Sequence, residues 1–204
     1  MTKNIAGLLL AAGESRRLKT PKQLLKISNQ YLINHMLKII KGGGLEDIFV
    51  VLGANYKMIS PLIQNQDVKI LHNRKWHDGL NTSIIKGITE IARMSIYDAA
   101  VIFVVDQPFL DSESIKMITT AFRTHNPDIA AFRLNGEQIN PVLFSRETFR
   151  GLLALGKNQS GKTVISKNQV FWVDTDNEKL AVDIDTEEDL KKMEYQVLSP
   201  GGKE

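Results

Sequence analysis

Short apolar runs and stretches of helical periodicity alternate along this chain. Residues 5–12 form a continuous apolar run that ends at Gly13, the pattern of a strand buried on both faces in a parallel sheet. Residues 31–41 place Leu32, Ile33, Met36, Leu37 and Ile40 on one helical face, and Gly42-Gly43-Gly44 ends that helix. Residues 47–53 predict a second strand and residues 68–72 a third. Residues 80–93 predict an amphipathic helix with Ile84, Ile85, Ile88, Ile91 and Ala92 inward, and residues 99–105 a buried strand that runs into Asp106. Asp111-Ser-Glu-Ser114 reads as a helix start ahead of the aligned Ile115, Ile118 and Phe122. Residues 129–134 read as strand, and Ser145-Arg-Glu-Thr148 as a helix start before Phe149, Leu152 and Leu153. A short strand at 171–173 follows, and Thr186 caps a last helix whose Glu187, Glu188 and Asp189 suit an N-terminal dipole.

This alternation predicts an α/β fold, a three-layer α/β/α sandwich on a mostly parallel sheet. No repeat or linker interrupts it, so residues 1–198 are expected to form one domain, with a loose tail at 199–204. Ligands on such sheets gather at the carboxyl ends of the strands, which singles out the loops after Ala12, Gly53, Asn73, Val105 and Trp172. Composition narrows the chemistry. The absence of cysteine excludes a disulfide scaffold, thiolate metal ligation and a cysteine nucleophile. His35, His72, His77 and His125 are scattered, with no metal-binding pair at helical spacing. The net charge of +3 comes without a basic run, so no nucleic acid partner is expected. No apolar stretch approaches the ~20 residues of a membrane span. The N-terminus lacks the order of a signal peptide, and a cytoplasmic location with no membrane partner is expected.

Two features carry candidate chemistry. The loop at 11–22 combines Gly13, Ser15 and four cations: Arg16, Arg17, Lys19 and Lys22. A glycine there lets backbone N–H groups approach a phosphate, guanidinium forks match phosphate oxygens, and Lys22 adds a point charge. The bland alternative is a solvated basic turn, but the loop follows the first central strand, where phosphate loops belong. Asp106, at a strand's end and stiffened by Gln107-Pro108, is placed to bind Mg²⁺. Asp183 and Asp185, two apart in an extended segment, can face one side; Asp183 is preferred as the second ligand, and Asp185 is the alternative or a helix cap. Gly156–Thr163 matches the P-loop pattern literally, yet a helix rather than a strand is predicted before it.

Leu10-Ala-Ala-Gly-Glu-Ser-Arg-Arg17 followed by Pro21-Lys22 resembles the signature of the nucleotidyltransferases of molybdenum cofactor synthesis. The Ala-Ala-Gly form is similar to the cytidylyltransferases of that family, whose guanylyltransferases carry Ala-Gly-Gly. The resemblance continues at Asn73-x-x-Trp76-x-x-Gly79-Leu80-x-x-Ser83, Asp106-Gln-Pro108, Asn140-Pro-Val-Leu-Phe144 and residues 183–190. It implies a Rossmann-like nucleotidyltransferase fold and transfer of CMP from CTP to the phosphate of a molybdopterin cofactor, with Mg²⁺ as cofactor. Arg17, Lys22 and Asp106 would be catalytic. Leu10, Ala11, Ala12, Gly13, Ser15, Gly53, Asn73, Gly79 and Ser83 would join Arg17 and Lys22 in holding the nucleotide. Asp106 and Asp183 would hold the metal, and Asn140 and Lys162 the acceptor. A molybdoenzyme or its maturation chaperone would be the protein partner. Transfer to a sugar or polyol phosphate, use of GTP, a P-loop ATPase, and a nucleotide-binding accessory protein are the alternatives. Two positions depart from the family: Lys19 replaces a glycine expected to need positive φ, and Lys157-Asn158-Gln159-Ser160-Gly161-Lys162 replaces Gly-Asp-x-Gly-Ala-Arg.

Overall fold

The computed structural model describes residues 3–27 and 29–198; the expected tail at 199–204 lies outside them. In chain order, β1 (Ile5–Ala11) leads through a loop to the small pair β2 (Lys26–Ile27) and β3 (Gln30–Tyr31), then α1 (Leu32–Gly42), β4 (Ile48–Leu52), α2 (Tyr56–Ile63) and β5 (Lys69–His72). There follow α3 (Leu80–Arg93), β6 (Ala99–Val104), α4 (Ser112–His125), β7 (Ile129–Leu134) and β8 (Glu137–Ser145). The last elements are α5 (Phe149–Leu153), α6 (Gly161–Ile165), β9 (Val170–Asp174) and α7 (Glu187–Leu198). Seven strands form one sheet in the order β5-β4-β1-β6-β8-β7-β9. Among them β8 runs antiparallel to both its neighbours, and the other pairings are parallel. This is the mostly parallel α/β sandwich that the alternation of elements implies.

Two apolar layers hold the sheet, and strand alternation assigns residues to them. Leu9, Val50, Val101 and Phe103 pack with Met36, Leu37 and Ile40 of α1 and Ile115, Ile118 and Phe122 of α4. On the other face Leu8, Leu10, Phe49 and Ile102 pack with Ile84, Ile88 and Ile91 of α3 and Leu152 of α5. Here α3 lies so close to β1 that a Cβ on Gly87 would stand 2.3 Å from Leu8 Cδ1. The helix starts behave as their residue types require: Asp111 accepts the Ser114 N–H at 2.7 Å, and Asp189 accepts the Thr186 N–H at 2.8 Å.

Five elements escape the periodicity, among them the two-residue strands β2 and β3. Helix α2 carries Pro61 inside it and buries only Ile59 and Ile63. Helix α6 spans five residues. Strand β8 contains Pro141; its pairing with β7 jumps from Ala131–Val142 to Phe132–Ile139, so Asn140 and Pro141 bulge out. Helix α5, not a strand, precedes the Gly156–Thr163 stretch, so that stretch is not a P-loop. Among the described residues, no helix is long and apolar enough to cross a membrane.

Candidate functional site

The carboxyl ends of β1 and β6 open into a cavity of about 470 Å³. Its floor is Leu10, Ala11 and Ala12, its side the loop with Gly13, Ser15, Arg16, Arg17 and Lys22, and its far wall Ser83, Val104 and Asp106. The loop folds around Ser15, whose φ of 62° puts it in the left-handed region. Ser15 O accepts the Leu18 N–H at 3.0 Å, and Ser15 Oγ accepts the Lys22 N–H at 2.9 Å. Lys19 is not among the positive-φ residues, so the strain expected there falls at Ser15 instead. The buried Gln23 donates its amide to Ala11 O at 2.7 Å and Gly13 O at 3.2 Å, which ties down the start of the loop. A Cβ on Gly13 would meet no atom within 4 Å, so the protein's own packing does not require glycine there.

Lys22 is the centre of the charged groups. Its side chain is 13% exposed, and its ammonium donates to Asp106 Oδ2 at 2.9 Å and to Asp185 Oδ1. Burial works against that charge, but Asp106 and Asp185 outweigh it and hold the Lys22 pKa above its ordinary value. Arg17 Nη2 meets Asp185 Oδ2 at 2.9 Å. Lys22, more than Arg17, keeps the Asp185 carboxyl below the usual carboxylate range. The segment after β9 returns to the site because the Ile184 N–H donates to Asp106 O at 2.9 Å. Burial first, and then the Asp106 charge, pushes Asp183 up to about 6 against a hydrogen bond from Gln107.

No group of three or more metal-ligating side chains occurs among the described residues. The donor set nonetheless fits a hard divalent cation of the Mg²⁺ kind, which binds through one or two carboxylates and completes its shell with phosphates and water. Asp106 Oδ1 is buried without a hydrogen-bond partner, and Asp183 lies close enough to Asp106 to feel its charge. These two carboxylates would hold the ion.

A second cavity, about 230 Å³, shares Leu10, Leu80 and Val104 with the first. Its walls are largely apolar, from Ile84, Ile102, Val142 and Phe144, and its polar groups are Gln107, Gln138, Asn140, Ser160, Lys162 and Asp183. The bulge in β8 is what brings Asn140 there, and the first turn of α6 brings Lys162.

The structure thus gathers Leu10 to Gly13, Ser15, Arg17, Lys22, Ser83 and Asp106 around the first cavity, and Asn140, Lys162 and Asp183 around the second. Gly53, Asn73 and Gly79 line neither. Gly53 permits close packing: a Cβ would lie 2.6 Å from both Ala12 O and Trp76 Cβ. Asn73 is buried and bonds to Thr82 Oγ1 and Ser83 Oγ, both at 2.9 Å, bracing the loop before α3. Gly79 caps α3 at a φ of 123°. Trp76 packs on Gly53 and also borders the first cavity. Sequence reasoning passed over Gln23 and Gln107. Their only signal is a polar residue next to a candidate site residue, and burial gives it meaning.

A family model described as a MobA-like NTP transferase domain matches residues 7–171. Nicotine blue oxidoreductase of Paenarthrobacter nicotinovorans is 23% identical over 198 residues, 93% of this chain and 96% of that protein. A probable molybdenum cofactor guanylyltransferase of Natranaerobius thermophilus is 29% identical over 133 residues, 63% of this chain and 60% of its own length. Among solved structures, Rv0371c from Mycobacterium tuberculosis H37Rv is similar with a TM-score of 0.83 at 21% identity, covering 95% of this chain and 98% of that one. A complex of Rv0371c with manganese has a TM-score of 0.78 at 21% identity, over 95% of this chain and 100% of that one. At these identities the structural likeness concerns the fold.

Proposed function

Because the chain belongs to the family of MobA-like NTP transferase domains, we propose that it transfers CMP from CTP to the phosphate of a molybdopterin cofactor. The observation that carries this reading is the cluster of Arg17, Lys22 and Asp106 around a cavity at the carboxyl ends of β1 and β6. An oxygen of the acceptor phosphate attacks the α-phosphorus, the bond to the bridging oxygen breaks, and pyrophosphate leaves. Such a reaction needs alignment and charge neutralisation more than covalent help from the protein. Loop N–H groups around Gly13 would approach the phosphates, with Lys22 and Arg17 as their counter-charges. Asp106 and Asp183 would hold Mg²⁺, which supplies further neutralisation of the phosphate charge when bound. Asn140 and Lys162, across the shared wall, would orient the acceptor.

Ala12 supports CTP over GTP, since its side chain borders the cavity where guanylyltransferases of this family carry glycine. The relative named as a guanylyltransferase supports the molybdenum cofactor as acceptor and, taken alone, favours GTP. Labelled CTP and GTP should be offered with molybdopterin or a sugar phosphate while pyrophosphate is measured. Release with CTP and molybdopterin is expected; release with GTP alone reverses the nucleotide, and release with the sugar phosphate alone reverses the acceptor. A second reading follows from the near full-length relationship to a protein named nicotine blue oxidoreductase, namely redox chemistry on this scaffold. Turnover of a redox substrate with no pyrophosphate under any pairing would establish it. The transferase reading also places the protein in the cytoplasm, with a molybdoenzyme or its maturation chaperone receiving the product.

A further inference from the structure

We propose that Asp185 is a positioning residue of the phosphate loop, and that residues 183–189 latch that loop from outside it. The inference rests on reading the loop as the triphosphate site, and it lies beyond residue 171, where the family match ends.

The loop has little of its own to fix it between Gly13 and Pro21. Within it, Leu18 N–H bonds to Ser15 O and Lys22 N–H to Ser15 Oγ. Gln23 holds Gly13 O, and Arg16 pairs with Glu14 on the surface, but the ties to Arg17 and to the Lys19 N–H come from the far end of the chain. Asp185 uses one oxygen on Lys22 and the other on Arg17, the two cations meant for the phosphates. Two residues on, Glu187 Oε1 accepts the Lys19 N–H at 3.1 Å. The latch is itself anchored. Ile184 N–H bonds to Asp106 O, and the N–H groups of Asp185 and Thr186 both bond to Asp189 Oδ2 at the start of α7. Arg17 is 66% exposed, so an isolated pair there would hold it weakly. Sharing one anchored carboxylate with Lys22 removes much of the entropy that a lone pair must lose.

Charge alone argues against a carboxylate in this place, because it repels the phosphates that the cations attract. Asp185 therefore helps only through geometry, and that fixes the sign of the test. In the ligand-free protein, Asp185→Asn should speed amide hydrogen exchange across residues 14–20 by about fivefold, the scale of a partly exposed ion pair, and leave the sheet amides unchanged. The same variant should bind CTP with Mg²⁺ about fivefold more weakly. Asp185→Glu, which restores the carboxylate, should recover part of both effects, and Glu187→Ala, which removes the acceptor oxygen, should release the Lys19 amide. Unchanged exchange in the loop overturns the latch. So does CTP binding that is equal or tighter in Asp185→Asn, the result that removal of a negative charge alone would give. If the unaltered protein binds no CTP, the nucleotide reading fails by itself and loop exchange alone decides the latch.

Discussion

The two halves of the sheet build their cavities by different means. On the β5-β4-β1-β6 side the strands are parallel and consecutive turns emerge on one edge, so the end of β1 and the loop after it together form the larger part of the first cavity's lining. On the β8-β7-β9 side an antiparallel strand, a two-residue bulge and a five-residue helix assemble the second cavity from scattered pieces. The first is crowded with charge and the second is walled by apolar side chains. The parallel half draws its cations from one contiguous stretch and borrows its carboxylates from further along the chain, whereas the antiparallel addition assembles its cavity from short separate pieces.

The sharpest way to break this contrast is to remove the carboxylate at the seam. Asp106 follows β6, pairs with Lys22, and has a buried oxygen free for a cation. Asp106→Ala should lower pyrophosphate release about a thousandfold, since a lost metal ligand sacrifices several kcal/mol of transition-state charge stabilisation. The fold should survive, because Lys22 keeps Asp185 as a partner. Near-normal turnover at saturating Mg²⁺ would remove Asp106 from the chemistry.

A paired measurement separates the cavities. Lys22→Ala should weaken CTP binding by roughly ten- to a hundredfold, the range of a charge-assisted hydrogen bond. Lys162→Ala should leave CTP affinity nearly unchanged and raise the KM for the acceptor by about tenfold. Calorimetry with CTP and steady-state kinetics with the acceptor read the two effects. If Lys162→Ala impairs CTP binding as much as Lys22→Ala does, the two cavities are one site and the division between them is wrong.

The same contrast explains what the sequence made legible. The strand before the loop, the cations within it and Asp106 all appear in local order, because a parallel strand buried on both faces has to be a continuous apolar run. Helices α1, α3 and α4 followed from their apolar stripes. Strand β8 did not, since Pro141 and a polar first half hide an element that is buried only from Pro141 onward. Asn73 drew attention as a candidate ligand, but its place is internal, bracing Thr82 and Ser83. No spacing rule says whether a polar residue near a strand end faces a cavity or the protein. For Lys19, a glycine in relatives suggested left-handed backbone, whereas this loop takes that turn at Ser15.

The smallest expected effect concerns how the parallel half supports Asp106 from behind. His35, on α1, bonds through Nε2 to Pro108 O at 3.0 Å and through Nδ1 to the Gln30 amide at 3.2 Å. A carbonyl needs a donor, so the neutral ring carries its proton on Nε2 and accepts the Gln30 N–H at Nδ1; a protonated ring would lose the second bond. Burial, helped by Lys38 and opposed by the Pro108 carbonyl, lowers the His35 pKa below 6.5. As pH falls below 6.5 the unfolded chain therefore takes up a proton before the folded one does. The stability that the neutral ring contributes is complete above 6.5 and is lost as pH falls from there through the folded value. Asp183, which burial makes take up a proton first in the folded chain, works the other way in this range, so the His35 contribution is read as a difference: the Tm of the protein minus that of His35→Gln should fall between pH 7.5 and 5.5. An unchanged slope in His35→Gln would assign the acid sensitivity to other groups and leave the Pro108 turn supported by its own stiffness.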